Sequence, residues 1–128
     1  MAKLRALIVE DSPMILESLS ETLGELAGVQ VVATAATEPS ALAWMGDRTD
    51  GCDVVIIDIF LKSGSGIGVL KGMREFAPPP DRVVLTNFAT TEVRNRCLEL
   101  GAEAVFDKSS EIDELVSWLA DRSHKEPP

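Results

Sequence analysis

Five times along the chain an apolar run gives way to a stretch with helical spacing, and that alternation limits the possible folds more than any other feature. The apolar runs cover residues 4–9, 29–35, 53–58, 82–86 and 103–106. The first, third and fourth are nearly unbroken Val, Ile and Leu, as expected of parallel strands covered on both faces. The stretches between them carry helix punctuation. Ser12-Pro13 is an N-cap followed by proline at the first helical position, and Ile15, Leu19, Leu23 and Leu26 then recur at helical spacing until Gly28. Further helices are predicted over 39–45, stopping at Gly46; over 67–76, stopped by Pro78-Pro79-Pro80; and over 91–100, ending at Gly101. Before the last helix, Ser110-x-x-Asp113 resembles a capping box, and Ile112, Leu115, Val116 and Leu119 form one apolar stripe.

Five strand–helix units predict an α/β fold: a doubly wound (βα)5 three-layer sandwich around a five-stranded parallel sheet. No linker or repeat interrupts the pattern. The expected organisation is one domain over 1–122 with no attached output module. Residues 123–128 are expected to form a disordered tail in which His124 is solvent-exposed.

Bulk properties remove several function classes. The net charge is −9, with 21 acidic against 12 basic residues, and the basic ones are scattered. A nucleic-acid surface needs a basic patch to displace counterions, so no direct nucleic-acid partner is expected. No apolar run approaches the ~18 residues of a membrane span, and the N-terminus leads straight into a strand rather than a signal peptide. Cys52 and Cys97 have neither metal-ligand spacing nor a nearby histidine. They are read as reduced residues of a cytoplasmic protein.

In a parallel sheet of this kind all strands end on one edge, and function collects there. Just past the five strand ends lie Glu10 and Asp11, then Asp58, then Thr86, and then Asp107 leading to Lys108; strand two offers only Thr34 and Thr37, to which no role is assigned. Three carboxylates sharing one edge repel strongly unless neutralised. Lys108 supplies one positive charge. A divalent cation would supply two more, and an oxygen-only ligand set suits Mg²⁺. The glycines after strand three make a poor dinucleotide loop: Gly64-x-Gly66 has Val69 where the third glycine belongs, and that fingerprint follows the first strand. They are read as permitting a tight turn into the third helix.

The segments "LIVEDSP", "VVIIDIFLKSGSG", "VVLTN" and "GAEAVFDKS" together resemble a response regulator receiver domain, over essentially the whole chain. This is the phosphoacceptor half of bacterial two-component signalling. The resemblance implies a flavodoxin-like strand order 2-1-3-4-5 and a stand-alone regulator similar to the single-domain chemotaxis type. It implies that Asp58 accepts a phosphoryl group from the phosphohistidine of a histidine kinase or histidine phosphotransfer protein. Glu10, Asp11, Asp58 and the backbone carbonyl of Phe60 would hold Mg²⁺, while Thr86 and Lys108 would bind phosphoryl oxygens. Signalling would follow by protein–protein contact through the fourth helix, fifth strand and fifth helix, with no catalysis beyond self-phosphorylation and self-dephosphorylation. Trp118 either helps form that face or packs against the core.

Four positions depart from the family pattern. Lys62 and Ser109 stand where prolines are usual, Val105 where an aromatic is usual, and Asn87 where a small residue is usual. The loop after Asp58 is therefore expected to be more mobile and more basic. The Lys108–Ser109 peptide is open as to isomer, and Phe106 should face away from the side Val105 faces. Rival readings fare less well. A Mg²⁺-dependent aspartyl-phosphate phosphatase of the haloacid dehalogenase kind needs an acid where Phe60 stands. A flavodoxin-like electron carrier needs a phosphate loop where acidic Glu10-Asp11 stands. An unphosphorylated pseudo-receiver would share the fold, though not the complete set of five groups.

Overall fold

Alternate side chains of the central strands enter two separate cores, and this separation fixes the layering. In the computed structural model, which describes residues 4–47 and 51–124, the elements run β1 (Leu4–Val9), α1 (Pro13–Ala27), β2 (Val29–Ala35), α2 (Glu38–Asp47), β3 (Val54–Ile57), α3 (Gly66–Met73), β4 (Asp81–Thr86), α4 (Thr91–Glu99), β5 (Ala104–Asp107) and α5 (Ile112–His124). The strands are all parallel, in the order β2-β1-β3-β4-β5. Leu7, Val9, Val55, Ile57, Val84 and Val105 pack with α2, α3 and α4 on one face. Ala6, Ile8, Val54, Ile56, Val83 and Leu85 pack with α1 and α5 on the other. Each fully buried Leu, Ile or Val contributes about 1.5–3 kcal/mol by leaving water, so double coverage explains the unbroken apolar strands.

Helix α1 keeps its expected caps: the Ser12 side chain accepts from the Ile15 N–H, and Gly28 closes the helix in the left-handed region at φ 66°. Several boundaries shift for identifiable reasons. β3 is shorter than 53–58, running Val54–Ile57; Asp53 still donates its N–H to Arg5 O (2.9 Å), and its carboxylate accepts from the Arg5 backbone N–H (2.8 Å) and guanidinium (3.3 Å). β4 gains Asp81, paired with Val54, and β5 moves one residue on so that Asp107 pairs with Thr86. α2 begins at Glu38 and runs past Gly46 to Asp47; ahead of it Thr37 and Ser40 exchange hydrogen bonds. α3 starts at Gly66 under a Ser65 cap and ends at Met73, not Phe76, because residues 74–76 tighten into i→i−3 bonds before the prolines. α4 is capped by Thr90 and ends at Glu99, its C-cap being Leu100.

The Ser110-x-x-Asp113 capping box does not form. Ser110 instead donates its backbone N–H to Asp107 Oδ1 at 3.2 Å, and the turn before α5 is organised by Asp107 and Glu111. α5 continues to His124, and residues 125–128 of the expected tail lie outside the described residues. Val105 and Phe106 face opposite cores, as their alternation requires. Trp118 is half-buried against the α1–α5 core, with the Arg122 guanidinium 4.2 Å from its ring centroid. Cys52 and Cys97 form no disulfide with each other, and burial raises the Cys97 pKa despite the opposing charge of Arg96. Among the described residues no helix is long and apolar enough to cross a membrane.

Candidate functional site

The parallel register delivers the strand ends to one place. Glu10 follows β1 and donates its N–H to Ala35 O (2.9 Å). Asp58 follows β3 and donates to Val9 O (2.9 Å). Lys108 follows β5 and donates to Thr86 O (2.9 Å). Backbone pairing therefore continues one residue beyond the strands and aims these side chains across the sheet edge. Lys108 Nζ lies 2.5 Å from Glu10 Oε1 and 3.1 Å from Asp58 Oδ2, with its side chain only 11 % exposed. Burial of Lys108 works to lower its pKa. The hydrogen bonds and charges of Glu10 and Asp58 outweigh that effect, and the ammonium is held above its ordinary value.

Glu10, Asp11 and Asp58 each present a carboxylate oxygen within 4.8 Å of the others, the candidate metal cluster found among the described residues. Carboxylate oxygens at this spacing can converge on one hard cation, and Mg²⁺ fits because it binds through few carboxylates and keeps waters. Lys108 offsets one of the three charges and leaves about two for a divalent ion. Glu10 is itself oriented, its Oε2 accepting from the Ser12 N–H at 3.1 Å.

The second and third rows of the site are aromatic and polar. Phe60 N–H donates to Asp58 Oδ1 (3.4 Å), and Phe88 N–H donates to the buried Thr86 Oγ1 (3.1 Å). The two residues are 57 % and 56 % exposed, and their rings meet edge-on with centroids 4.9 Å apart. The loop after Asp58, expected to be mobile for want of a proline at Lys62, is pinned at several points. Ser65 N–H donates to Glu38 Oε1 (2.9 Å), Glu38 N–H to Ser63 O (3.1 Å), and Gly66 N–H to Ile59 O (2.8 Å). At Gly66 a side chain is impossible: a Cβ would lie 2.1 Å from Asp58 O and 2.6 Å from Ile59 Cα. The glycines thus serve close approach as well as the turn.

The Lys108–Ser109 peptide is trans, the one cis bond among the described residues being Ala77–Pro78. In place of a proline, Asp107 Oδ1 gathers Ser109 N–H (2.8 Å), Ser109 Oγ (2.6 Å) and Ser110 N–H (3.2 Å). The Ser109 hydroxyl and backbone, aided by Ser110, hold the Asp107 carboxyl below its usual range. Sequence reasoning did not find this arrangement or Glu111 beside it; the Asp107-Ser-Ser run so close to Lys108 was the available signal.

All five strand-end groups are therefore brought to one edge. The response regulator receiver domain model matches residues 6–120. The chain belongs to the response regulator receiver domain family. Over 113 residues this receiver domain is 34% identical to transcriptional regulatory protein KdpE of Mycobacterium tuberculosis, covering 88% of this chain and 48% of KdpE. Over 123 residues it is 27% identical to transcriptional regulatory protein MalR of Bacillus subtilis, covering 96% of this chain and 52% of MalR. It thus spans about half the length of these curated relatives. A solved CheY-like receiver domain from Methanospirillum hungatei superposes with a TM-score of 0.77 at 26% identity, covering 98% of this receiver and 100% of that chain. The strand order expected from the resemblance is the one observed.

Proposed function

We propose that this receiver accepts a phosphoryl group on Asp58 from the phosphohistidine of a histidine kinase or phosphotransfer protein, and signals by contact with another protein. The observation that carries the reading is Lys108 Nζ bridging Glu10 and Asp58 beside Asp11, with Thr86 at the next strand end. An Asp58 oxygen forms the new O–P bond as the P–N bond of phosphohistidine breaks, and the released imidazole takes up a proton. Lys108 and the Thr86 hydroxyl offset charge on the phosphoryl oxygens. Glu10, Asp11, Asp58 and the Phe60 carbonyl would hold Mg²⁺, which when bound supplies further charge neutralisation. The chemistry ends there: gain and loss of one phosphoryl group. Incubation with Mg²⁺ and acetyl phosphate, read by intact mass, tests the reading; no added phosphoryl group would refute it.

The setting is cytoplasmic, in keeping with two cysteines that are not joined in a disulfide. With a net charge of −9 this domain does not itself contact nucleic acid. If it is part of a longer regulator built like KdpE or MalR, DNA contact falls to another segment.

Two results follow for the site. Asp11→Asn removes one of three clustered charges, so Mg²⁺ should bind more weakly while the metal-free fold is no less stable. Mg²⁺ titration followed by tryptophan fluorescence or NMR shifts measures this, and unchanged affinity would take Asp11 out of the site. Losing the phosphoryl group needs a water in line with the Asp58–phosphorus bond, and the packed Phe60 and Phe88 rings offer such a water no hydrogen bond. The phosphorylated state should therefore decay slowly. The double variant Phe60→Asn, Phe88→Glu should lose label about 10-fold faster, since a polar group holding that water is worth that much or more. Equal decay would show that the rings exclude nothing.

A further inference from the structure

The guanidinium of Arg94, on α4, makes three hydrogen bonds to three different segments. Nε donates to Ala89 O (2.9 Å), Nη1 to Val105 O (3.0 Å) and Nη2 to Glu111 Oε1 (2.6 Å). Ala89 lies in the loop that follows Thr86, whereas Val105 and Glu111 stand three residues before and three after Lys108. Glu111 Oε1 also accepts the Asp107 N–H at 2.9 Å, and Asp107 in turn ties down Ser109 and Ser110. Lys108 therefore sits inside a short polypeptide arch whose two feet are both held by one side chain. The Arg94 bond is the largest influence holding the Glu111 carboxyl below its usual range.

We propose that Arg94 is a positioning residue for Lys108, acting through Glu111 and Asp107, and that the same bonds couple α4 to whatever occupies the acidic site. The planar fork of arginine suits this work because it satisfies three acceptors at fixed angles, which a lysine ammonium cannot reproduce. The arch links both groups that face the phosphoryl oxygens: pulling Thr86 moves Ala89, pulling Lys108 moves Val105 and Glu111, and each displacement reaches Arg94. A helix with a largely polar, exposed surface and one buried cysteine then turns or slides as a unit. The phosphoryl part of this inference rests on the function proposed above; the positioning part stands without it.

The test uses Arg94→Gln, Arg94→Lys and Glu111→Gln in the full chain. Glu111→Gln keeps an acceptor for both Arg94 and the Asp107 N–H. In the resting protein, amide hydrogen exchange at Asp107, Ser109 and Ser110 should be about 10-fold faster in Arg94→Gln, as expected if the net loss of support makes opening of this segment easier by about 1.4 kcal/mol. Exchange in β1 and β3 should not change. Arg94→Lys should fall between, and Glu111→Gln should stay within about 2-fold of wild type. With Mg²⁺ and beryllofluoride, α4 amides should shift in wild type and cease to follow the Lys108 amide in Arg94→Gln. Wild-type exchange at Asp107, Ser109 and Ser110 in Arg94→Gln, or α4 shifts that survive it, would overturn the proposal. A wild-type protein that takes neither phosphoryl group nor mimic would refute the proposed function, and the exchange measurement would still decide the positioning role.

Discussion

Asp58→Asn should abolish phosphoryl incorporation while leaving the fold intact. The amide has the shape of the carboxylate but one acceptor oxygen, so it keeps the bond from either the Phe60 N–H or Lys108, which in Asp58 go to separate oxygens, while the buried strands around it are untouched. It lacks the anionic oxygen that must form the bond to phosphorus. Glu10 shares the strand-end place, the Lys108 bond and the two neighbouring acids, so the proposed choice of Asp58 over Glu10 rests on the match to the receiver domain family. Intact mass after treatment with Mg²⁺ and acetyl phosphate should show the added group in wild type and none in the variant. Incorporation at the wild-type rate would move the acceptor elsewhere.

Lys108→Met should cost about 3 kcal/mol of stability in the absence of divalent cation, the usual scale for removing one partner of a buried charge pair. Glu10 and Asp58 are both buried, and the ammonium between them is the one charge set against theirs among the described residues. Because the folded pKa of Lys108 is raised, its contribution is complete below the ordinary value of 10.5 and is lost only as pH rises through the raised value. The penalty should therefore be the same across the neutral range. Saturating Mg²⁺ should restore part of it, since a cation replaces the missing charge. Chemical denaturation in chelator and then in Mg²⁺ measures both effects. A variant as stable as wild type in chelator would mean that the carboxylates are neutralised in some other way.

The layering was legible because continuous Val/Ile/Leu runs have few other ways to be buried, and the site followed because a parallel sheet puts every strand end on one edge. Glu10, Asp58, Thr86 and Lys108 could thus be placed from order alone. What stayed hidden depended on side chains reaching across the chain. Arg94 reads as one more charge on a polar helix, and nothing in its neighbours announces that it ends 11 residues away on Val105 O. Glu38, just ahead of the helix predicted over 39–45, drew no assignment, yet it holds the Ser65 N–H 27 residues on. The failed capping box has the same origin. Ser110 matched a local pattern, but Asp107 and Glu111 offered its turn a better set of acceptors. The boundary shift at α3 came from a last turn tightened before three prolines.

Gly66 touches no metal and no phosphoryl group, yet it bears on the mutational history of the site. Its missing Cβ is the space through which α3 starts directly against the carbonyl of Asp58. Even alanine would have to push the backbone of Asp58 itself, whereas nearby Lys62 and Ser63 are exposed and have room to vary. In a saturating library sorted only for folded protein, codon 66 should tolerate no replacement while codons 62 and 63 accept many. Lineages that give up signalling should therefore lose Asp58 long before they lose this glycine.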